Sequence, residues 1–388
     1  MRMKIIDLFC GSGGMSLGFS QAGYDIVGAV DNWDPAAECY KKNFKDNPFY
    51  QMDLSDWKSV VAKFQGARVD VIVGGPPCQD FSEAGEKIEG DRADLTRCFA
   101  RIIHKLRPTY FVMENVPPAV ESRAYKTARG IFKRSGYGLT EVVLDASLCG
   151  VPQSRKRFFC IGSLRDKNRF LLRTLFARQT DIPMSLRDYI GDEFGFNYYY
   201  RHPRTYGRRG VYTLDEPAPT IRGVNRPLPK KYKKHPSDLV DPHKYKVRAL
   251  SFKERARVQM FPSNYVWTEQ ASCNDQMIGN AVPVGLARFV ADSLSRYAKE
   301  GGKGLPLLFT EWQQTRKRIR KEAAGDNLSR YRRACRLLMG VKCNKSDMVS
   351  KLKGLKSFVT LSSNVQSQLK RACELHSEYL NYLAEREG

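Results

Sequence analysis

Apolar residues recur in short runs along the first 164 positions, and polar or glycine-rich breaks separate them. "KIIDLF" at residues 4–9 predicts a buried strand, "CGSGG" a tight turn, and "MSLGFSQAG" a helix stopped by Gly23. "YDIVGAVD" predicts a second strand with an acid at its tip, and "DPAAECYKKNF" a helix with Pro35 in its first turn. "FYQMD" and "VDVIVGG" follow as strands, residues 94–106 as a helix, and "PTYFVMENV" as a fifth strand. A helix over "ESRAYKTARGIFKRSG" precedes two further strands, "GLTEVVLDA" and "KRFFCIGSL". Strands alternating with helices of this length predict an α/β fold: a doubly wound, mostly parallel sheet with helices on both faces. Such sheets bind ligands at the carboxyl ends of their strands.

This regularity stops near residue 164. "FGFNYYYRHPRTYGRRGVYTLDEPAPTIRGVNRPLPKKYKKHPSD" is rich in Tyr, Arg, Lys, Gly and Pro and predicts a small, loop-rich module. Helical periodicity returns in "SFKERARVQMF" and "PVGLARFVADSLSRYAK", and "EGGKGLP" at 300–306 reads as a linker. The expected organisation is an α/β core over 1–163 and a smaller, loop-rich unit over 164–270. A segment over 271–299 returns to the core, and a basic helical extension spans 305–388.

Composition narrows the class. At 42% hydrophobic residues over 388 positions the chain is globular, and no apolar run approaches the ~20 residues of a membrane span. "MRMKIIDLF" lacks signal-peptide architecture, so a soluble, cytoplasmic protein is expected. The ten cysteines form no CxxC pair, which argues against a zinc ribbon or redox dithiol; no metal and no disulfide are expected. The net charge of +24 is uneven. Residues 1–163 carry only +3, whereas 164–247 hold 18 basic against 9 acidic groups and 316–356 hold 14 against 3. Two basic blocks attached to a near-neutral core predict a polyanionic partner.

Candidate chemistry gathers at the strand ends. The glycines of "DLFCGSGG" let the backbone approach a ligand, but no Lys-Ser/Thr follows as in a phosphate-binding loop, and the spacing departs from G-x-G-x-x-G. Asp31 ends the second strand, where a carboxylate can hold two ribose hydroxyls. Asn32 is the other candidate in that register, and Trp33 offers a face for an adenine. Asp53 is suited to an adenine amino group or, equally, to capping a helix. These features suit S-adenosylmethionine. Cys78 stands behind two prolines in "GGPPCQDFS", a rigid frame that suits a reactive thiol rather than a core one. Glu114 ends the next strand on the same sheet edge, and Arg155 and Arg157 alternate in β period so that both side chains face one side.

The motifs resemble, in order, those of the DNA (cytosine-5) methyltransferases, prokaryotic type. "DLFCGSGGMSLGF", "GGPPCQDFS", "MENV", "QSRKRFF", "RALSFKERARVQMFP" and "QMIGNAVPVGLARFVADSL" carry the likeness over roughly residues 4–297; 305–388 match nothing in it. The resemblance implies that Cys78 adds to carbon 6 of a flipped-out cytosine while Glu114, held by Arg155, bonds the ring. Gln79 and Arg157 would support the loop and the nucleotide backbone. It implies that Phe9, Gly11, Gly14, Pro76, Asn280 and Val282 join Asp31, Asn32, Trp33 and Asp53 around the cofactor, and that a lid from Ser82 to Arg92 closes on DNA. In the recognition region Arg222, Asn225 and Arg226 are expected to read bases and Lys230, Lys231, Lys233 and Lys234 to contact phosphates. The resemblance further implies duplex DNA as substrate, a monomer acting near the nucleoid, and a cognate restriction endonuclease. "RKRIRK" and "RYRRACR" in the extension are expected to add phosphate contacts or to bind a partner protein. A tRNA cytosine-5 methyltransferase and a non-catalytic DNA-binding homologue are the alternatives. The first usually carries a Cys-Phe-Thr signature not found here, and the second would have lost Cys78 or Glu114. A nucleotide-dependent oxidoreductase fails on the glycine spacing.

Overall fold

The computed structural model describes residues 2–77, 94–164, 166–203, 205, 207–300, 308–338 and 347–387. The core strands are β1 (Lys4–Leu8), β2 (Asp25–Asp31), β3 (Phe49–Gln51), β4 (Val71–Gly74), β5 (Tyr110–Asn115), β6 (Gly138–Asp145), the two-residue β7 (Gln153–Ser154) and β8 (Lys156–Ser163). All but β7 join one seven-stranded sheet, ordered β3-β2-β1-β4-β5-β8-β6. Strands β1 to β5 pair in parallel, and β8 runs antiparallel to both β5 and β6. The reversal has a simple cause. Parallel neighbours need a crossover of a dozen or more residues, and only residues 146–155 join β6 to β8.

Successive side chains of β1 serve opposite layers: Ile5 belongs to one buried cluster and Ile6 to the other. The first layer holds α1 (Gly14–Gln21) and α2 (Asp34–Asn43); the second holds α3 (Trp57–Phe64), α4 (Asp94–Leu106) and α5 (Arg123–Arg134). Phe64, Phe99, Ile103 and Phe132 fill the second, and such double coverage explains why β1 and β4 read as nearly continuous apolar runs.

Residues after β8 form short helices α6 (Leu172–Ala177) and α7 (Leu186–Ile190), the antiparallel pair β9 (Tyr198–Tyr200) and β10 (Val211–Thr213), and β11 (Ala218–Pro219), which pairs with β7. This region has a small core of Tyr200, Val211, Val240 and Val247. Asp238 organises it, accepting from the N–H groups of Gly210, Val211 and His235 and from the Tyr232 hydroxyl at 2.7–3.0 Å. Burial pushes that carboxyl up, but the four donors outweigh it and hold it below the ordinary range.

Helices α8 (Phe252–Val258), α9 (Ala271–Asn280) and α10 (Val284–Glu300) return to the core. α10 packs on α1, where a Cβ at Gly18 would lie 2.6 Å from the Ala287 Cβ and the Val284 carbonyl, so glycine alone permits this approach. Five helices follow: α11 (Phe309–Arg316), α12 (Lys321–Leu337), α13 (Met348–Lys353), α14 (Lys356–Val359) and α15 (Ser363–Glu387). Of these, α12 to α15 enclose a core around Tyr331, Leu338, Phe358 and Leu369, and α11 packs Phe309 and Trp312 against Leu375 and Tyr379 of α15.

A buried polar hub joins the returning segment to the sheet. Arg155, 1% exposed, donates to the carbonyls of Ile221 at 2.9 Å, Gly279 at 2.8 Å and Ala281 at 3.1 Å. Gln153 beside it accepts from the Ile221 N–H at 2.9 Å and donates to Gln259 at 2.9 Å; Gln259 in turn donates to the Ile278 carbonyl at 2.6 Å. Three distant stretches of chain therefore have their backbone groups satisfied by the same few side chains. Arg155→Met keeps the bulk but takes the guanidinium donors from the Ile221 and Gly279 carbonyls and leaves Ala281 only its longer bond from Gln259, and is expected to lower unfolding free energy by about 3 kcal/mol or more. Urea denaturation checks this; a loss under about 1 kcal/mol would show that the hub is dispensable.

Candidate active site

The carboxyl ends of β1 to β5 contribute to a single cleft of about 610 Å³. Phe9, Cys10 and Gly11 follow β1, Asp31, Asn32 and Trp33 end β2, and Asp53 follows β3. Gly75, Pro76 and Pro77 follow β4, Glu114 to Val116 end β5, and Gln276 to Val282 close the far side. The glycine turn is tightly wound: Phe9 has φ 58°, a costly value for a residue with a side chain, and Gly11 and Gly13 have φ 53° and 80°. Gly14 lets the closing segment approach, because a Cβ there would lie 2.5 Å from the Val282 carbonyl. Gly279 does the same where it passes against the backbone of Gly223.

The acids of the cleft divide by partner. Asp31 accepts from Gly11 N–H at 2.9 Å with one oxygen and from Trp33 N–H at 3.0 Å with the other, so it holds the glycine turn in shape. Burial nonetheless pushes its carboxyl up. Asn32 is exposed on the rim, and its side chain makes no hydrogen bond among the described residues. Asp53 bonds Ser55 N–H at 2.8 Å as a turn cap, while Asp56 caps α3. Asp7, which no motif reading singled out, lies 1% exposed on the cleft floor. One of its oxygens accepts from the Ser16 hydroxyl at 2.6 Å; the other, and the hydroxyl of Ser12 nearby in the lining, are buried with no protein partner among the described residues. Burial foremost pushes the Asp7 carboxyl up to about 7. Its sequence signal was an acid in the middle of an apolar strand.

Glu114 is buried at the mouth of the cleft. Burial raises its carboxyl, opposed first by the charge of Arg157 and then by that of Arg155. The carboxylate–guanidinium bond is made by Arg157, with Nε 2.8 Å from Oε1. The resemblance gives the hold on Glu114 to Arg155, whose charge also favours the ionised carboxylate. Arg155, between β7 and β8, is bound inward by backbone carbonyls, and Arg157 on β8 reaches the carboxylate. Asn115 donates to the Pro76 carbonyl at 3.3 Å and accepts from Val116 N–H at 2.8 Å, which ties the end of β5 to the proline frame. Cys78, Gln79, Ser82 and Arg92 lie outside the described residues.

A second, larger cavity of about 1170 Å³ opens between the core and the residues after β8. Val116, Arg157, Gly279 and Asn280 line both cavities, so the cleft and this groove meet beside Glu114. Arg222 and Arg226 line the groove, as do Arg201, Arg208 and Arg209, which the sequence reading did not single out although "RHPRTYGRRG" carries them. Arg222 donates to the His202 carbonyl. Asn225 spends its amide on the Leu250 carbonyl at 2.8 Å and lies outside the groove lining. Lys230, Lys231, Lys233 and Lys234 are exposed and also lie outside it.

Residues 3–296 match the family of C-5 cytosine-specific DNA methylases. A type II methyltransferase of Haemophilus influenzae, M.HindV, is 49% identical over 299 residues, covering 77% of this chain and 98% of that protein. M.HgiDI of Herpetosiphon aurantiacus is 48% identical over 299 residues, with 77% and 96% covered. In fold, the chain resembles the S. pombe Dnmt2 methyltransferase (TM-score 0.58, 20% identity, 77% of this chain and 99% of that one). It also resembles a putative DNA modification methyltransferase from an E. coli prophage (TM-score 0.54, 22% identity, 77% and 100% covered). The ordered motifs, the strand-edge cleft with its Glu114–Arg157 pair and the match over 3–296 agree: the chain belongs to the C-5 cytosine-specific DNA methylase family.

Proposed function

We propose that this protein transfers a methyl group from S-adenosylmethionine to carbon 5 of a cytosine flipped out of duplex DNA, as the modification enzyme of a type II restriction–modification system. The carrying observation is the junction of cleft and groove at Val116, Arg157, Gly279 and Asn280, next to buried Glu114. One chamber suits a cofactor, the other is lined with arginines for a polyanion, and they touch where a base would have to enter.

The cleft fits the cofactor. Its floor presents a carboxylate oxygen of Asp7 and the Ser12 hydroxyl, buried and awaiting partners, which suit the ammonium and carboxylate of a methionine moiety. Trp33 and Phe9 supply aromatic surface, and Asp31, each of whose oxygens accepts one N–H and keeps a lone pair, stands with Asn32 to meet the ribose. When bound, S-adenosylmethionine supplies an electrophilic methyl group. The chain's own residues must make carbon 5 a nucleophile. The Cys78 thiolate adds to carbon 6, and the ring electrons this releases become available at carbon 5. Glu114, its carboxyl raised by burial and oriented by Arg157, bonds N3 and the exocyclic amine as charge develops there. After transfer, a base removes the carbon 5 proton and the C–S electrons return to the thiolate. None of this fits inside a stacked duplex, hence the flipping. A cytoplasmic site of action beside the nucleoid follows from this reading, as does a partner endonuclease cutting the unmethylated site.

Labelled methyl incorporation into duplex DNA but not tRNA, followed by bisulfite mapping to one short sequence, tests the reading; label in tRNA alone would overturn it. Glu114→Gln, which cannot ionise and loses the Arg157 pair, is expected to cut kcat by about 10²–10³ with DNA binding retained. Unchanged single-turnover rates would remove Glu114 from the chemistry. A third expectation concerns pH. In the free protein the Asp7 carboxyl titrates at about 7. An ammonium group beside it favours the ionised form and lowers that value, so binding releases a proton below the free value. Affinity for S-adenosylhomocysteine should therefore fall by at most about tenfold per unit as pH drops below 7, and level off above it. Titration calorimetry checks the profile, which Asp7→Asn should flatten; a pH-independent wild type would contradict the contact.

A further inference from the structure

The helical extension lies beyond the family match, yet it does not stand apart from the groove. Arg332 of α12 lines the groove together with Arg157, Arg201, Arg208, Arg222 and Arg226. Its placement is fixed from below. His376 of α15, 4% exposed, stacks on the neighbouring Tyr331 with centroids 3.7 Å apart and planes at 13°. The same imidazole lies 3.5 Å from Asp181, itself part of the groove wall. Arg173 reaches Glu311 of α11 at 3.1 Å and makes a second attachment. α12 is thereby held with Arg332 at the groove.

The groove's acids do not offset its arginines. Its lining carries eight arginines against three acids, Asp145, Asp181 and Glu216, and of these Glu216 pairs with Arg209 while Asp145 caps its own turn at Ser147 N–H, 3.1 Å away. Residues 316–356 carry 14 basic and 3 acidic groups, the densest positive block in the chain. A groove walled on one side by the core and recognition region, and on the other by α12, suits a polyanion lying along it.

We propose that the extension is a DNA clamp: α12 presents Arg332 to the phosphate backbone of the duplex whose base enters the cleft. The inference rests on the reading of this chain as a DNA methyltransferase and adds to it a contact surface outside the methyltransferase core. It binds any sequence, because phosphates carry none. It raises affinity and residence on DNA rather than choosing the site.

The test uses the full chain and a labelled duplex, with anisotropy titrations over a salt series. Removing one phosphate contact should lower the slope of log K against log salt by about 0.9, and should weaken binding several-fold at low salt. Arg332→Gln is expected to do both, and Arg332→Lys to restore most of the slope. Arg333→Gln removes the same charge from the adjacent position, which does not line the groove, and should move the slope by less than half as much. Thermal unfolding of each variant confirms that the fold is kept. Equal slopes in Arg332→Gln and wild type, or equal losses in the two glutamine variants, would overturn the clamp and leave the extension to a protein partner. Wild-type protein that methylates no duplex at all would instead overturn the underlying reading.

Discussion

A single guanidinium, shielded from water, sets the relation between the parts of this molecule. Arg155 finds its hydrogen-bond acceptors in the backbone of two segments, 221 and 279–281, that lie far along the chain from β8. A buried charge without such acceptors is costly, and buried carbonyls without donors are costly too, so each side fixes the other. The consequence reaches both cavities. The segment at 279–281 closes the strand-edge cleft, and the segment at 221 opens the loop that walls the groove. Gln153 and Gln259 extend the same lattice, and glycines at 14, 18 and 279 let the backbones come close enough for it to form.

This lattice explains why two arginines two residues apart do different work. Arg155 is a positioning residue whose bonds end on backbone. Arg157, one β repeat later, emerges where the cleft meets the groove and takes the carboxylate of Glu114. The active site thus separates a rigid frame from the groups that would meet a base. Asp31 and Asn115 belong to the frame, one holding the glycine turn and the other the proline frame ahead of Cys78. Asp7 and Ser12 belong to the second set, with polar atoms left over after the protein has bonded itself.

What the sequence made legible follows from these roles. The strands from "KIIDLF" to "PTYFVMENV" and their order along the edge could be read, because strands buried on both faces leave continuous apolar runs. The reversal of β8 was hidden in a connection length rather than a residue pattern. The partner of Glu114 could not be read, because β alternation says which side a residue faces but not how deep it goes. Lys230, Lys231, Lys233 and Lys234 look like phosphate ligands in a sequence; in the structure they are exposed and lie outside the groove lining. Arg201, Arg208 and Arg209 were not singled out, and Arg332 was read only as one of the basic residues of "RYRRACR", because a groove assembled from segments over a hundred residues apart leaves no local signature.

The account stands on a transient bond between the Cys78 sulfur and carbon 6 of an extruded cytosine. Duplex DNA carrying 5-fluorocytosine at the methylated position blocks release, since carbon 5 then has no proton to lose. Incubated with S-adenosylmethionine and denatured, the protein should remain attached to that strand, with mass spectrometry placing the adduct on Cys78. An adduct on another residue, or equal retention by Cys78→Ala, would contradict it.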